Sequence, residues 1–211
     1  MQVATAHYDF LNYIDLNRWN SCYHQITETL ALNPQSVLIV GKGDKVVETI
    51  LSKQNLNVTT FDFDETLQPD ILGDVTNIRK ILENSIQKRG GKFDVLLCCQ
   101  VLEHVPYENF ENILQQLQSI AKNVILSIPY SSVKYYLHMR LPIVKEIKMQ
   151  FCIHKFWSRH KFDGQHFWEI GFAGYPKRRI IKDIKKFFHI KKQFLAENNP
   201  YHLFFVLQFK I

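Results

Sequence analysis

Four segments of this 211-residue chain carry residue types that can do chemistry. The first is Gly41-Lys42-Gly43-Asp44, which closes the apolar run VLIV at 37–40. Glycine lets a chain bend sharply and a ligand approach closely, and a helix starting there offers free N–H groups. The second is Asp62, about 20 residues further on, where a carboxylate at a strand end can accept from both hydroxyls of a ribose. Asp64 competes for that role, and either residue could instead cap a turn. The third is LGDV at 72–75. Here Asp74 can take the amino group of an adenine while Val75 packs on its face, or Asp74 can simply cap the helix that follows. The fourth is FDVLLCCQVLEHVP at 93–106, an apolar run followed by a polar loop with Gln100, Glu103 and His104. His104 is a candidate general base, since histidine titrates near neutral pH, or it bonds a neighbouring loop. His166 is a second candidate base, set among Asp163, Gly164, Gln165, Trp168 and Glu169. That mixture reads as a substrate wall or as a surface aromatic cluster. Cys22, Cys98, Cys99 and Cys152 have no paired metal-ligand spacing, so no metal site is expected and reduced thiols of a cytoplasmic protein are.

The elements that must position these residues alternate. Residues 36–41, 58–61, 93–98 and 124–128 are short apolar or β-branched runs bounded by turn residues, as buried parallel strands are. Helical periodicity covers 16–32, with Asp15 as cap and Asn33-Pro34 as stop, then 44–54, 76–88 and 107–121. Residues 179–188 form a last helix, and 192–197 and 202–210, separated by Asn198-Asn199-Pro200, form two strands joined by a turn. The expected fold is α/β, a Rossmann-like doubly wound sheet, mostly parallel with a C-terminal antiparallel hairpin. It forms a single domain over 1–211, with a basic aromatic insertion or lid at about 131–175.

The charge is divided. Residues 1–110 hold 9 Lys+Arg and 14 Asp+Glu, a net of −5, whereas 111–211 hold 17 and 6, a net of +11. Residues 133–192 alone, with 15 basic and 4 acidic side chains, account for that whole excess. The excess is a solvated surface, a membrane-surface patch in which 135–157 acts as an interfacial helix, or a nucleic-acid groove. No recognisable nucleic-acid module favours the last. An anionic or membrane-proximal acceptor is the favoured partner of 133–192. No apolar run approaches the roughly 20 residues of a membrane span, and the N-terminus lacks the pattern of a secretory signal. A cytoplasmic protein, at most peripheral to a membrane, is expected.

Each motif alone is weak. Together, VLIVGKGD, VTTFDFD, LGDV and FDVLLCCQVLEHVP resemble the class I S-adenosylmethionine-dependent methyltransferases, and more narrowly the small prokaryotic group known as "methyltransferase domain". The likeness runs over 18–130 and continues through HFWEIG at 166–171 and GYP at 174–176. It implies S-adenosylmethionine as cofactor, with Gly41 and Gly43 against its methionine part and Lys42 counted among its contacts. It further implies Asp62 on the ribose, Phe63 against the adenine, Asp74 and Val75 framing that ring, and Cys99, Gln100 and Val101 on the sulfonium side. Two positions depart from the family pattern: Ile39 stands where an acidic residue is usual, and Lys45 where a third glycine is. The activity implied is methyl transfer by direct displacement to an oxygen or nitrogen of a small-molecule, glycan or lipid-linked acceptor. Two other readings stay open. Gly41-x-Gly43 with Asp62 also suits an NAD-binding oxidoreductase, although Val46 occupies its third glycine position. Ile39 and Lys45 also suit a catalytically inactive, methyltransferase-like scaffold.

Overall fold

The structure is a computed structural model that describes residues 13–139, 147–155 and 157–210. Helix α1 (Leu16–Leu30) starts at Asp15, whose side chain accepts from the Arg18 N–H at 2.7 Å. It packs a face with Cys22 and Ile26 on the sheet, and the chain turns away at Asn33, whose positive φ precedes Pro34. Strand β1 (Ser36–Val40) is buried along its whole length, as a strand covered on both faces must be. Helix α2 (Val46–Ser52) leads to β2 (Asn57–Asp62) and a short edge strand, β3 (Ile71–Leu72).

Residues 76–88 do not form the single helix their periodicity suggests. A 3-10 turn (Val75–Asn77) is followed by α3 (Ile78–Ile81) and α4 (Glu83–Arg89), with the fully buried Leu82 at the break. Strand β4 (Phe93–Cys99), helix α5 (Phe110–Ile120) and β5 (Ala121–Pro129) complete the parallel part. Helix α6 (Lys177–Phe187) then leads to β8 (Phe188–Ala196) and β9 (Asn199–Phe209).

The seven strands lie in the order β3-β2-β1-β4-β5-β9-β8. Pairings are parallel from β3 to β5, while β9 runs antiparallel between β5 and β8. The sheet is therefore mixed and mostly parallel, with the antiparallel C-terminal pair expected. Strand order reverses between β1 and β4, so the carboxyl ends of β1, β2 and β4 open onto one crevice. At the opposite edge, Asp94 locks β1 to β4. Its Oδ2 accepts from the N–H groups of Gln35 and Ser36 and from the Ser36 hydroxyl, and its Oδ1 meets Lys122 Nζ at 2.7 Å. Burial pushes this carboxyl up, but those donors outweigh it and hold it down at about 2.

The segment after β5 corrects one expectation. It is not an interfacial helix but a hairpin of β6 (Ser132–Met139) and β7 (Ile147–His154), paired from Ser132↔His154 to Met139↔Ile147. β-Branched and aromatic residues recur there at a spacing of two, which favours strand over helix. Residues 140–146 and 156 of the insertion, among them Arg140, Lys145 and Phe156, lie outside the described residues. Among the described residues no helix is long and apolar enough to cross a membrane.

Candidate active site

The crevice at the switch point holds a cavity of about 350 Å³, within the size range of small-ligand sites. Its first wall is the turn after β1. Gly41 has φ +86°, a Cβ there would lie 2.6 Å from Val101 Cγ2, and its N–H donates to the Phe61 carbonyl at 2.9 Å. Both a left-handed backbone and a close approach therefore require glycine at this position. Gly43 also has positive φ, as does Lys45 at +65°, where the family's usual third glycine would carry no strain.

Asp62 ties that turn to β2. Its Oδ2 accepts from the Lys42 N–H at 2.7 Å and its Oδ1 from the Asp64 N–H at 2.9 Å. A carboxylate has about four acceptor positions, so the side chain keeps capacity for a diol at the cavity wall. Asp64 borders the same cavity, but its Oδ1 takes the N–H and hydroxyl of Thr66, a cap role. Asp74 likewise caps the turn at Val75–Asn77 through the Thr76 N–H, at 2.8 Å, while bordering the cavity.

The structure brings the sequence-derived cofactor residues around this one cavity, with one exception. Gly41 and Gly43 come from the first turn, Asp62 and Phe63 from the end of β2, Asp74 and Val75 from beyond β3, and Cys99, Gln100 and Val101 from the end of β4. The exception is Lys42, whose ammonium turns away to the Gln68 carbonyl at 2.8 Å and to Glu48 at 3.4 Å. Only its main-chain N–H reaches the site, through Asp62. Sequence reasoning missed Tyr13, Leu67, Gly73 and Val105 on the walls. The LGDV motif contains Gly73 and so offered a signal for it, whereas nothing local pointed to Tyr13. Ile39 is buried in the core on the α1 side of the sheet and does not border the cavity. Burial pushes the Cys99 thiol up to about 12 and raises that of Cys98 well above its ordinary value, so both stay protonated and neither is a nucleophile near neutral pH.

The outer end of the cavity is polar. The loop after β4 places His104 on the wall, and the segment 163–171 folds over that loop. Two anchors hold the two together, and a third ties the segment to the chain just after β5. The Phe167 N–H donates to the Glu103 carbonyl, the indole N–H of the fully buried Trp168 donates to the Val105 carbonyl at 3.0 Å, and Tyr130 bridges Ile170. Gly171 makes this fit possible, since a Cβ there would fall 2.1 Å from the Ser131 carbonyl oxygen. Trp168 thus belongs to a buried aromatic cluster with Tyr107 and Phe110, whereas Phe162 and Phe167 form an exposed pair.

This clamp sets His166 edge-on to His104, with ring centroids 4.9 Å apart, although His166 does not itself line the cavity. His104 Nδ1 donates to the Gln165 carbonyl at 3.0 Å, and His166 Nδ1 donates to Glu169 Oε1 at 2.8 Å. The Tyr201 hydroxyl, from β9, donates to the same Glu169 oxygen. Burial lowers the His104 pKa. Burial would lower that of His166 too, but the Glu169 hydrogen bond and the neighbouring carboxylates raise it. Glu103, close to both, is fully buried, and burial pushes its carboxyl up to about 8. Tyr201 could not have been found from sequence, because only the β5–β9 pairing brings it here.

Comparison with known proteins agrees with this geometry. The sequence model of a family described as "Methyltransferase domain" matches residues 16–174. None of the curated proteins matches the sequence. Among solved structures, an S-adenosylmethionine-dependent methyltransferase from Clostridium acetobutylicum superposes with a TM-score of 0.55 at 11% identity, covering 98% of each chain. The glycopeptide N-methyltransferase MtfA, complexed with S-adenosyl-L-homocysteine, gives 0.58 at 9% identity, over 94% of this chain and 91% of that one. Magnesium protoporphyrin IX methyltransferase from Synechocystis PCC 6803, with bound S-adenosylmethionine, gives 0.52 at 16%, over 92% and 81%. At these identities the likeness establishes the fold, and the family match sets aside the oxidoreductase reading. With the family's motifs at four strand ends of the class I sheet, the chain belongs to the methyltransferase-domain family and is an S-adenosylmethionine-dependent methyltransferase.

Proposed function

We propose that this methyltransferase works at an anionic membrane surface, methylating an oxygen or nitrogen of a lipid-linked glycan acceptor. The observation that carries the reading is the β6–β7 hairpin. It leaves the carboxyl edge of the sheet, the edge that bears the cavity, and exposes Val133, Tyr135, Leu137 and Met139 along one strand and Met149 and Ile153 on the other. These positions share the hairpin's odd-numbered face in the cross-strand register. Contiguous exposed apolar residues within a segment carrying 15 basic against 4 acidic side chains suit insertion among anionic headgroups better than contact with water.

The residues around the cavity fit the cofactor: a diol acceptor at Asp62, a glycine turn admitting close approach at Gly41, and an apolar wall at Val75 and Val101. When bound there, S-adenosylmethionine supplies an electrophilic methyl group on sulfur. The chain's own contribution would be placement: Cys99 to Val101, at the β4 end, line the cavity beside His104 and would hold an acceptor atom close to the methyl group and in line with the bond that breaks. His104 and His166 are the acceptor-side residues, each keeping Nε2 for a polar partner.

The test is transfer of labelled methyl groups from S-adenosylmethionine into fractions of a lysate. Label in the lipid extract, together with sedimentation on phosphatidylglycerol vesicles but not on phosphatidylcholine vesicles, is the expected result. Label confined to water-soluble small molecules, protein or nucleic acid, with no vesicle binding, would overturn the proposal.

A further inference from the structure

Glu103 poses a problem that the methyl-transfer reading does not solve. It has no exposed surface, and neither carboxyl oxygen has a hydrogen-bond partner on another of the described residues. A buried polar group left unpaired costs about 1–3 kcal/mol, and more if charged. Protonation does not remove the difficulty, because the resulting O–H would also lack an acceptor.

What surrounds Glu103 is a set of donors. One ligand-type atom each of Glu103, His104 and His166 lies within 4.8 Å of the other two. Both rings commit Nδ1 to an oxygen, the Gln165 carbonyl for His104 and the Glu169 carboxylate for His166. In the neutral ring that leaves the lone pair on Nε2, as in metal-binding histidines, whose other nitrogen donates to a carboxylate or carbonyl. Glu169 is itself held by the Tyr201 hydroxyl, so the support extends one layer further. A second trio, Asp163, His166 and Glu169, is equally close, but its groups are already satisfied by one another and by the main chain. In the first trio the carboxylate alone lacks partners.

We propose that Glu103, His104 and His166 form a binding site for one divalent transition-metal ion at the acceptor end of the cavity. Atoms about 2.0–2.2 Å from a common ion lie no more than about 4.4 Å apart, close to the 4.8 Å within which one ligand-type atom of each of these residues falls. One carboxylate and two imidazoles select a borderline ion such as Zn²⁺, take Mn²⁺ more weakly, and disfavour Mg²⁺ and Ca²⁺, which prefer all-oxygen shells. Three protein ligands leave coordination positions open toward the cavity through His104. An oxygen of the acceptor fits such a position, where the ion would fix it and make its proton easier to lose. The histidines then act as ligands and not as bases. The binding claim itself does not rest on the membrane reading or on the identity of the acceptor.

The experiment is calorimetric titration of chelator-treated full-length protein with Zn²⁺, Mn²⁺ and Mg²⁺, without cofactor or acceptor. One equivalent of Zn²⁺ or Mn²⁺ should bind, with Mg²⁺ at least about 100-fold weaker. Glu103→Gln and His104→Gln should each weaken binding at least tenfold, and Glu169→Gln, which frees the His166 ring, by about 10–100-fold. His104→Gln changes an exposed residue and guards against a folding defect in Glu103→Gln, with circular dichroism as the check. His189→Gln, at an exposed histidine on β8, should change nothing. Absence of Zn²⁺ and Mn²⁺ binding by the wild type, or binding that survives in folded Glu103→Gln and His104→Gln, would overturn the proposal.

Discussion

Replacing Asp62 by Asn tests whether one carboxylate both builds the cofactor turn and reads the ribose. In the wild type the two oxygens each accept a main-chain N–H, from Lys42 at 2.7 Å and from Asp64 at 2.9 Å. An amide offers one acceptor oxygen and one NH₂ donor, so in either orientation one of these N–H groups faces another donor. A hydrogen bond to a charged acceptor is worth about 1.5–3 kcal/mol, and the site is buried, so stability should fall by about 2 kcal/mol. For a chain of this length that lowers Tm by about 4–8 °C. The ribose contact loses its charged acceptor as well, which weakens S-adenosylhomocysteine binding by roughly 10–100-fold. Thermal melts and calorimetric titration of the two proteins read the two effects separately. Asp64→Asn is the control: Asp64 lines the same cavity but serves Thr66, so affinity should stay within about threefold. If Asp62→Asn keeps wild-type affinity, or if Asp64→Asn shows the larger loss, the assignment of the ribose to Asp62 is wrong.

Other substitutions probe the supports of the site. Gly171→Ala combines a positive φ with a Cβ placed 2.1 Å from the Ser131 carbonyl oxygen, so it should cost at least about 2–3 kcal/mol in urea unfolding and loosen the segment that carries His166. Lys45→Gly relieves a left-handed residue at the start of α2 and should stabilise the fold by about 0.5–1 kcal/mol, a Tm rise visible by calorimetry. Asp94→Asn should cost about 1–2 kcal/mol at pH 7, allowing for partial exposure of the ion pair to solvent. Because the folded pKa of Asp94 is depressed to about 2, that contribution is complete above the unfolded value of about 3.9 and disappears as pH falls through about 2. Denaturation midpoints of variant and wild type should therefore converge between about pH 4 and pH 2.

The parallel sheet could be read from sequence because its strands are buried on both faces. VLIV at 37–40 and VLLC at 95–98 are continuous apolar runs, and the ligand residues follow at the strand ends where topology opens the crevice. The hairpin at 132–154 is hard to tell from an interfacial helix in sequence because the same aromatics serve both, and period alone separates the two. The break at Leu82 left no propensity signal, and Lys42 drew attention through a charge whose partners, Glu48 and Gln68, lie in other elements. The polar end of the site was the least legible. His104 and His166 stood out individually, but the significance of Glu103 depends on its lack of partners, which only the clamp by residues 163–171 establishes. Asp62 and Asp74 illustrate a milder ambiguity: each has a main-chain capping role and a place on the cavity wall, so the two readings weighed from sequence were not exclusive.

The central claim is that the crevice between β1 and β4 binds S-adenosylmethionine. Calorimetric titration of the unmodified protein with S-adenosylhomocysteine and, separately, with NAD tests it most directly. One equivalent of S-adenosylhomocysteine should bind, with no heat from NAD. Binding of NAD with no response to S-adenosylhomocysteine would contradict it.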